Sequence, residues 1–439
     1  MATPRMRKDG NPDLRRQTQL PAPAIEEIEA QIYALLEPSN FKPLRDSPGL
    51  DNKNLRERKL TLPVMMAVVV SLVYRQIAGL SEAIRLLATE GLMWVEPMLV
   101  SKQALSQRLK KIPAKLFAQV FEQVIEKIHA TPQANRIPQQ WQQLHQTFGA
   151  VWIADGSTLE ELRKKLKALS DQTTVLAGKM MMVVEAFTHV PTKIWYTEDS
   201  KANDKIFAQE LLEQLPTGGL LIFDLGFFKF GWFDQFTQQQ KFFVTRLREK
   251  TSYFVVRCLS TGVYYRDEII DMGQYRSNPC QYPVRLVSVL WGNSWYYYLT
   301  NVLDPQLLSA QQVCELYRCR WRIEDAFKLT KRLLGLAYIW VGDRNGVQIQ
   351  IFATVIFYTV LNNLSSQIAF ALGQPLERIS VEMVFRSLYY FAVAVLRRET
   401  DNVVDYLVSH YKLFGLLKAE RKRHRQIHSR SAQVWADAP

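Results

Sequence analysis

The chain is short of the residues that staple small domains. Its four cysteines, Cys258, Cys280, Cys314 and Cys319, form no CxxC pair, and its six histidines are scattered. No zinc module or disulfide framework is readable, and a reducing cytoplasm fits. No apolar stretch in residues 1–24 resembles a signal peptide. Arg5, Arg7, Lys8, Arg15 and Arg16 stand there among prolines, which reads as a loose basic arm. Long uncharged runs are few. Residues 61–74 contain Pro63, and residues 345–376 carry Gln348, Gln350, Asn362, Asn363 and Gln367. Membrane spans rarely hold so many amides, so both runs read as buried core helices, and no membrane partner is expected.

Negative charge is also in deficit. The 439 residues hold 55 Lys plus Arg against 42 Asp plus Glu, a formal net charge of +13. Such a surplus favours an anionic partner, nucleic acid first. With 48% hydrophobic and 11% aromatic residues, global disorder is excluded, and the length suits two to four domains or one large core carrying an insertion.

The periodicity changes along the chain. Residues 25–36, 61–87 and 102–128 read as helices. Within them, residues 81–87 and 101–111 pair like a helix-turn-helix, with Ser101 as cap and Gln103, Ser106, Gln107 and Lys110 outward. A solvated face on an ordinary helix is the open alternative. From residue 148 strands take over at 150–154, 180–187 and 193–197, followed by a helix capped by Asn203 and Asp204 and a buried strand at 220–223. Residues 241–302 read almost wholly as β, with strands at 242–247, 253–258, 263–265, 284–291 and 295–300. Helix resumes after Pro305. The expected fold is therefore a mixed α/β core interrupted by a β-rich insertion, between helical ends. The expected divisions are 1–145, a helical DNA-binding region; 146–240 and 303–370, two parts of the core; 241–302, the insertion; and 371–439, a helical end with a basic run at 418–430.

Two apolar strands run into a carboxylate, at Asp155 and at Asp224. Open α/β sheets place ligands at the carboxyl ends of their strands. A third acid, Glu324, lies on a helix; counted at about 100° per residue, Tyr317, Arg320, Glu324 and Lys331 share a sector of roughly 60°, flanked by Ile323, Phe327 and Leu334. Three such acids can hold two Mg²⁺ or Mn²⁺ ions about 3.5–4 Å apart for in-line phosphodiester displacement.

The spacing Tyr317-x2-Arg320-x3-Glu324-x6-Lys331, with Asp155 and with Asp224 followed by Gly226 and Phe227, resembles the insertion sequence 4 type of DDE transposases. Leu225 departs from that family, which often carries a basic residue there. The resemblance implies an RNase H-like core and cut-and-paste transposition of a bacterial insertion sequence. It implies Asp155, Asp224 and Glu324 as catalytic metal ligands, and Tyr317, Arg320 and Lys331 as contacts to transposon-end DNA. It further implies a DNA hairpin intermediate with Trp295 or Tyr296 stacked on a flipped base. Expected partners are double-stranded DNA, as terminal inverted repeats and target, and a second copy in the DNA complex; the expected location is the cytoplasm, with the nucleoid. The rivals are a nuclease of the same core without strand transfer, and a non-catalytic, element-encoded DNA-binding regulator.

Overall fold

The computed structural model describes residues 59–77, 79–130, 137–159, 178–199, 201–334, 340, 343–419 and 433–435, with residue 29. The expected basic arm, the helix at 25–36 apart from residue 29, and the basic run from residue 420 onward lie outside the described residues.

Five helices lead in: α1 Leu62–Tyr74, α2 Leu80–Thr89, α3 Lys102–Lys111, α4 Ala114–Ala130 and α5 Gln139–Phe148. The two long helices read from the sequence are each broken. Gly79 separates α1 from α2, and Pro113, which cannot donate the next helical hydrogen bond, separates α3 from α4. Ser101 caps α3, its side chain accepting from the Ala104 amide at 3.1 Å.

One nine-stranded sheet organises the rest: β1 Val151–Thr158, β2 Lys179–Glu185, β3 Pro191–Thr197, then β4 Leu220–Ile222 reached through a 3-10 turn at Asp204–Phe207 and α6 Ala208–Gln214. α7 Phe230–Gln238 leads to β5 Phe242–Arg246, and β6 Tyr253–Thr261, β7 Tyr265–Met272, β8 Val284–Trp291 and β9 Ser294–Thr300 complete it. The order is β3-β2-β1-β4-β5-β9-β8-β7-β6. β1, β4 and β5 are mutually parallel neighbours, and all other pairs are antiparallel. The first five strands form a mixed sheet, with β2 and β3 antiparallel at one side and β1, β4 and β5 parallel. β5, inside the range expected as an insertion, is its fifth strand, and β9 continues it edge to edge.

β7 corrects an expectation. A strand was expected at 263–265, whereas it runs from Tyr265 to Met272. Arg266, Asp267, Glu268 and Asp271 mask the alternation. Asp267 can be buried because both its oxygens take the Arg285 guanidinium, at 2.7 and 2.6 Å, and Arg285 also donates to the Leu308 carbonyl at 2.6 Å.

Helices cover both faces. On one, Leu211 and Leu212 of α6 and Trp232, Phe233 and Phe236 of α7 pack with Phe227 against Phe223 and Phe243. On the other lie α8 Ala310–Cys319, α9 Trp321–Lys328, a π turn at Leu329–Leu333, α10 Arg344–Ala371, α11 Val381–Leu396 and α12 Val403–Ser409. Among the described residues α10 alone is long and apolar enough to cross a membrane. It is the central core helix instead, with Ile356, Phe357 and Leu361 buried and the Asn362 amide donating to the Thr188 carbonyl at 2.7 Å.

Candidate active site

Register brings the two aspartates together. Ile153 on β1 pairs with Ile222 on β4, and Ile222 with Val244 on β5. Two residues further on, Asp155, Asp224 and Arg246 stand side by side on the same face, since side chains repeat every second residue. Asp155 lies inside β1, which continues to Thr158, rather than at the strand end expected. β1 can run on because β2 pairs with it as far as Thr158.

Each aspartate turns one oxygen to the backbone. Asp155 Oδ1 accepts from the Gly156 amide at 2.9 Å, and Asp224 Oδ1 from the Gly226 amide at 2.8 Å, capping the 3-10 turn Leu225–Phe227. The second Asp155 oxygen receives Arg320 Nη1 at 3.0 Å, and Arg320 Nη2 lies 3.4 Å from Glu324 Oε1. Burial and the Asp224 charge push the Asp155 carboxyl up to about 7, while Arg320 and the Gly156 amide pull it down.

α8 and α9 meet at Arg320, where the helix tightens: the Arg320 amide donates to Tyr317 O at 3.2 Å. Ile323 and Phe327 are buried beneath, leaving Glu324 on the open side. Tyr317 is largely buried; its ring lies 5.3 Å from that of Tyr298 and the Arg320 guanidinium is 5.9 Å from it. The π turn carries Lys331 back toward β1, where Nζ donates to Ser157 Oγ and, at 2.7 Å, to the Thr158 carbonyl. Arg320 and Lys331 thus reach β1, Glu324 joins through Arg320, and Tyr317 lies against Tyr298 of β9. Arg322, on the far side of α9, donates to Ala186 O at the end of β2 and pairs with Glu377.

Trp295 and Tyr296 alternate on β9 and so face opposite ways. Tyr296 shares the face of Tyr298, which touches Tyr317, and is exposed. Trp295 lies on the other face beneath the Arg266 guanidinium, 5.4 Å from its ring.

Three residues near the site carried no motif. Arg246 stands beside Asp224, with Nε lacking a hydrogen-bond partner among the described residues. Trp321 is 60% exposed with the Arg320 guanidinium 4.9 Å from its ring. Asp204 reaches the glycines that follow both aspartates. The alternation that put Arg246 on the face of Asp155 was readable once register was known; Asp204 had no signal beyond helix capping.

The donors are all carboxylate oxygens, which suit a hard divalent cation. Asp155 and Asp224, each with one oxygen turned away from its glycine, fit such an ion. Among the described residues no three acids stand close enough to grip one together, because the Arg320 guanidinium lies between Asp155 and Glu324.

Residues 153–360, spanning these three acids, match the family model described as the transposase DDE domain. The chain is 26% identical over 190 residues to y4zB of Sinorhizobium fredii, by name a candidate transposase, covering 42% of this chain and 52% of that protein. It is 24% identical over 168 residues to a candidate transposase of insertion sequence element IS4SA from Synechocystis sp., covering 37% and 46%. The chain therefore matches about half the length of each relative. A piggyBac transposase chain from a synaptic complex with hairpin DNA aligns over 92% of this chain and 89% of its own, at 11% identity and a TM-score of 0.38. The DDE-domain match takes in Asp155, Asp224 and Glu324 together. Over less than half of its length the chain is thus similar to candidate transposases, one of them of an insertion sequence element.

Proposed function

We propose that the chain is a DNA transposase that moves an insertion sequence by cut-and-paste, hydrolysing phosphodiesters at the element ends and joining the freed 3′ hydroxyls to target DNA. The observation that carries this reading is the side-by-side placement of Asp155 and Asp224 with Glu324 tied to Asp155 through Arg320, inside a transposase DDE domain.

In this reading Asp155, Asp224 and Glu324 hold Mg²⁺ or Mn²⁺, as a pair of ions. Bound there, the metal supplies Lewis acidity and an activated attacking oxygen. The chain's own residues do the rest. Asp155 serves as a ligand in its ionised form, which a cation bound there favours. Arg320, once drawn off the acids, offers a guanidinium fork to a phosphate, and Arg246 adds a cation beside Asp224. Tyr317 packs against Arg320 and fixes its approach.

The outward residues of α3, Lys102, Gln103, Gln107 and Lys110, are exposed and suit the DNA backbone and base edges. For the stacked base of a hairpin intermediate, Tyr296 has the better claim, because it lies on the face of Tyr298 and the site. The DNA-bound species is taken as a homodimer holding two terminal inverted repeats.

Incubating the protein with Mg²⁺ and the DNA flanking its own gene tests the reading. Excised element joined to a second duplex is the expected product. Cut but unjoined DNA would instead make it a nuclease, and DNA binding without cutting a regulator.

A further inference from the structure

Asp204 opens the 3-10 turn that leads through α6 into β4, 20 residues before Asp224. Its carboxylate lies between β1 and the Gly226 turn. A Cβ added at Gly156 would collide with Asp204 Oδ1, and one at Gly226 would stand 3.2 Å from Asp204 Oδ2. The glycines after Asp155 and Asp224 are thus the two places where Asp204 enters, and their amides are the donors that fix one oxygen of each aspartate. Asp204 is itself held by Lys179 of β2, whose Nζ is 2.6 Å from Oδ1 and also donates to the Ala202 carbonyl at 3.0 Å. Both side chains are mostly buried, at 18% and 11% exposure, so neither is placed to take DNA directly.

A fourth carboxylate wedged beside Asp155 and Asp224 adds repulsion unless something cancels it, and Lys179 is the cation in position to do so. We infer that Asp204 is a positioning residue for the Asp155–Asp224 pair: its carboxylate sets the spacing between Gly156 on β1 and the Gly226 turn, and Lys179 decides how much of its charge the site feels. The inference rests on Asp155 and Asp224 being metal ligands, as proposed above.

Charge and shape can be separated by five variants whose Mn²⁺ affinity is measured by calorimetry on the DNA-free protein, alongside thermal unfolding in EDTA. Asp204→Asn keeps the wedge but leaves Lys179 uncancelled, and should weaken Mn²⁺ binding roughly tenfold. Lys179→Met leaves Asp204 uncancelled and should tighten it by several-fold. The double variant Lys179→Met with Asp204→Asn keeps the wedge with no net charge and should return to near wild-type affinity. Asp204→Ala, lacking the wedge, should stay weak even when combined with Lys179→Met. A pair that serves only to hold the fold would lower the unfolding temperature in every variant without this pattern of opposite signs and recovery. Affinities within twofold of wild type for both single variants, or a fall in both with no recovery in the double, would overturn the inference. Asp155→Asn is the reference: if it abolishes Mn²⁺ binding while the Asp204 and Lys179 variants leave it unmoved, only this inference fails. If Asp155→Asn also binds normally, the metal reading of the site fails with it.

Discussion

Arg320 Nη1 lies 3.0 Å from Asp155 Oδ2 across 165 residues of chain, and the same guanidinium reaches Glu324. The helix expected to offer its cations to DNA thus spends one of them on the site's own acids. Arg320 is the counter-ion that lets Asp155 and Glu324 face the same space.

Asp155→Asn should make the metal-free protein less sensitive to alkaline pH. The folded-state carboxyl is raised from its ordinary value to about 7 by burial and Asp224, so the folded chain binds the extra proton between about pH 4 and pH 7. Its stability contribution is full below that window and lost as pH rises through 7. In EDTA the wild-type unfolding temperature should fall from pH 5 to pH 8 by more than that of Asp155→Asn. Identical pH slopes in the two proteins would remove the raised carboxyl.

Asp155→Ala, Asp224→Ala and Glu324→Ala should each abolish DNA cleavage while leaving end binding largely intact, since each removes a proposed ligand and also lessens repulsion of phosphate. Asp325 is the control. It is 65% exposed and pairs with Lys418 at 3.7 Å, so Asp325→Asn should cleave at close to the wild-type rate. Product gels with labelled element ends read this out. Robust cleavage by any of the three alanine variants takes that residue out of the site.

Lys331→Ala and Arg320→Ala should part company. Arg320 can turn to DNA, so its loss should lower the salt slope of binding by roughly one counterion. Lys331 is tied to Ser157 and Thr158, so its loss should loosen the end of β1 and lower the unfolding temperature as well as affinity. Unchanged stability of Lys331→Ala, with a full unit of salt slope lost, would put its amine on phosphate instead.

Tyr296→Ala should spare first-strand nicking and reduce hairpin formation, because stacking on an extruded base is worth roughly 1–3 kcal/mol. Trp295→Ala, on the opposite face, should mainly release Arg266. Quantifying nicked, hairpin and excised DNA for each variant separates them, and the reverse ranking would assign the stack to Trp295.

The strand pattern of the sheet was legible where alternation was clean. Val284–Trp291 coincides with its expected span, while β7 was hidden by charges that only the buried Arg285–Asp267 pair makes tolerable. The long helical readings ran through Gly79 and Pro113 because apolar periodicity resumes beyond each break. Asp155 and Asp224 stood out through their apolar strands, and the Tyr317-to-Lys331 spacing placed four side chains on one side of the helix. Arg246 and Asp204 were invisible for a different reason: one is brought in by strand register and the other by a turn folded over from another segment, and neither relation has a local spacing.

The shared register of β1, β4 and β5 also bears on how such chains can change length. Asp155, Asp224 and Arg246 each sit two residues past aligned partners, so deleting one residue within 151–154, 220–223 or 242–245 turns that side chain to the opposite face of the sheet. Insertions and deletions can be absorbed only where no ladder counts them. Among the described residues the stretch between β7 and β8 is such a place at 274–279, before the Asp234 carboxylate fixes the Gln281 and Tyr282 amides.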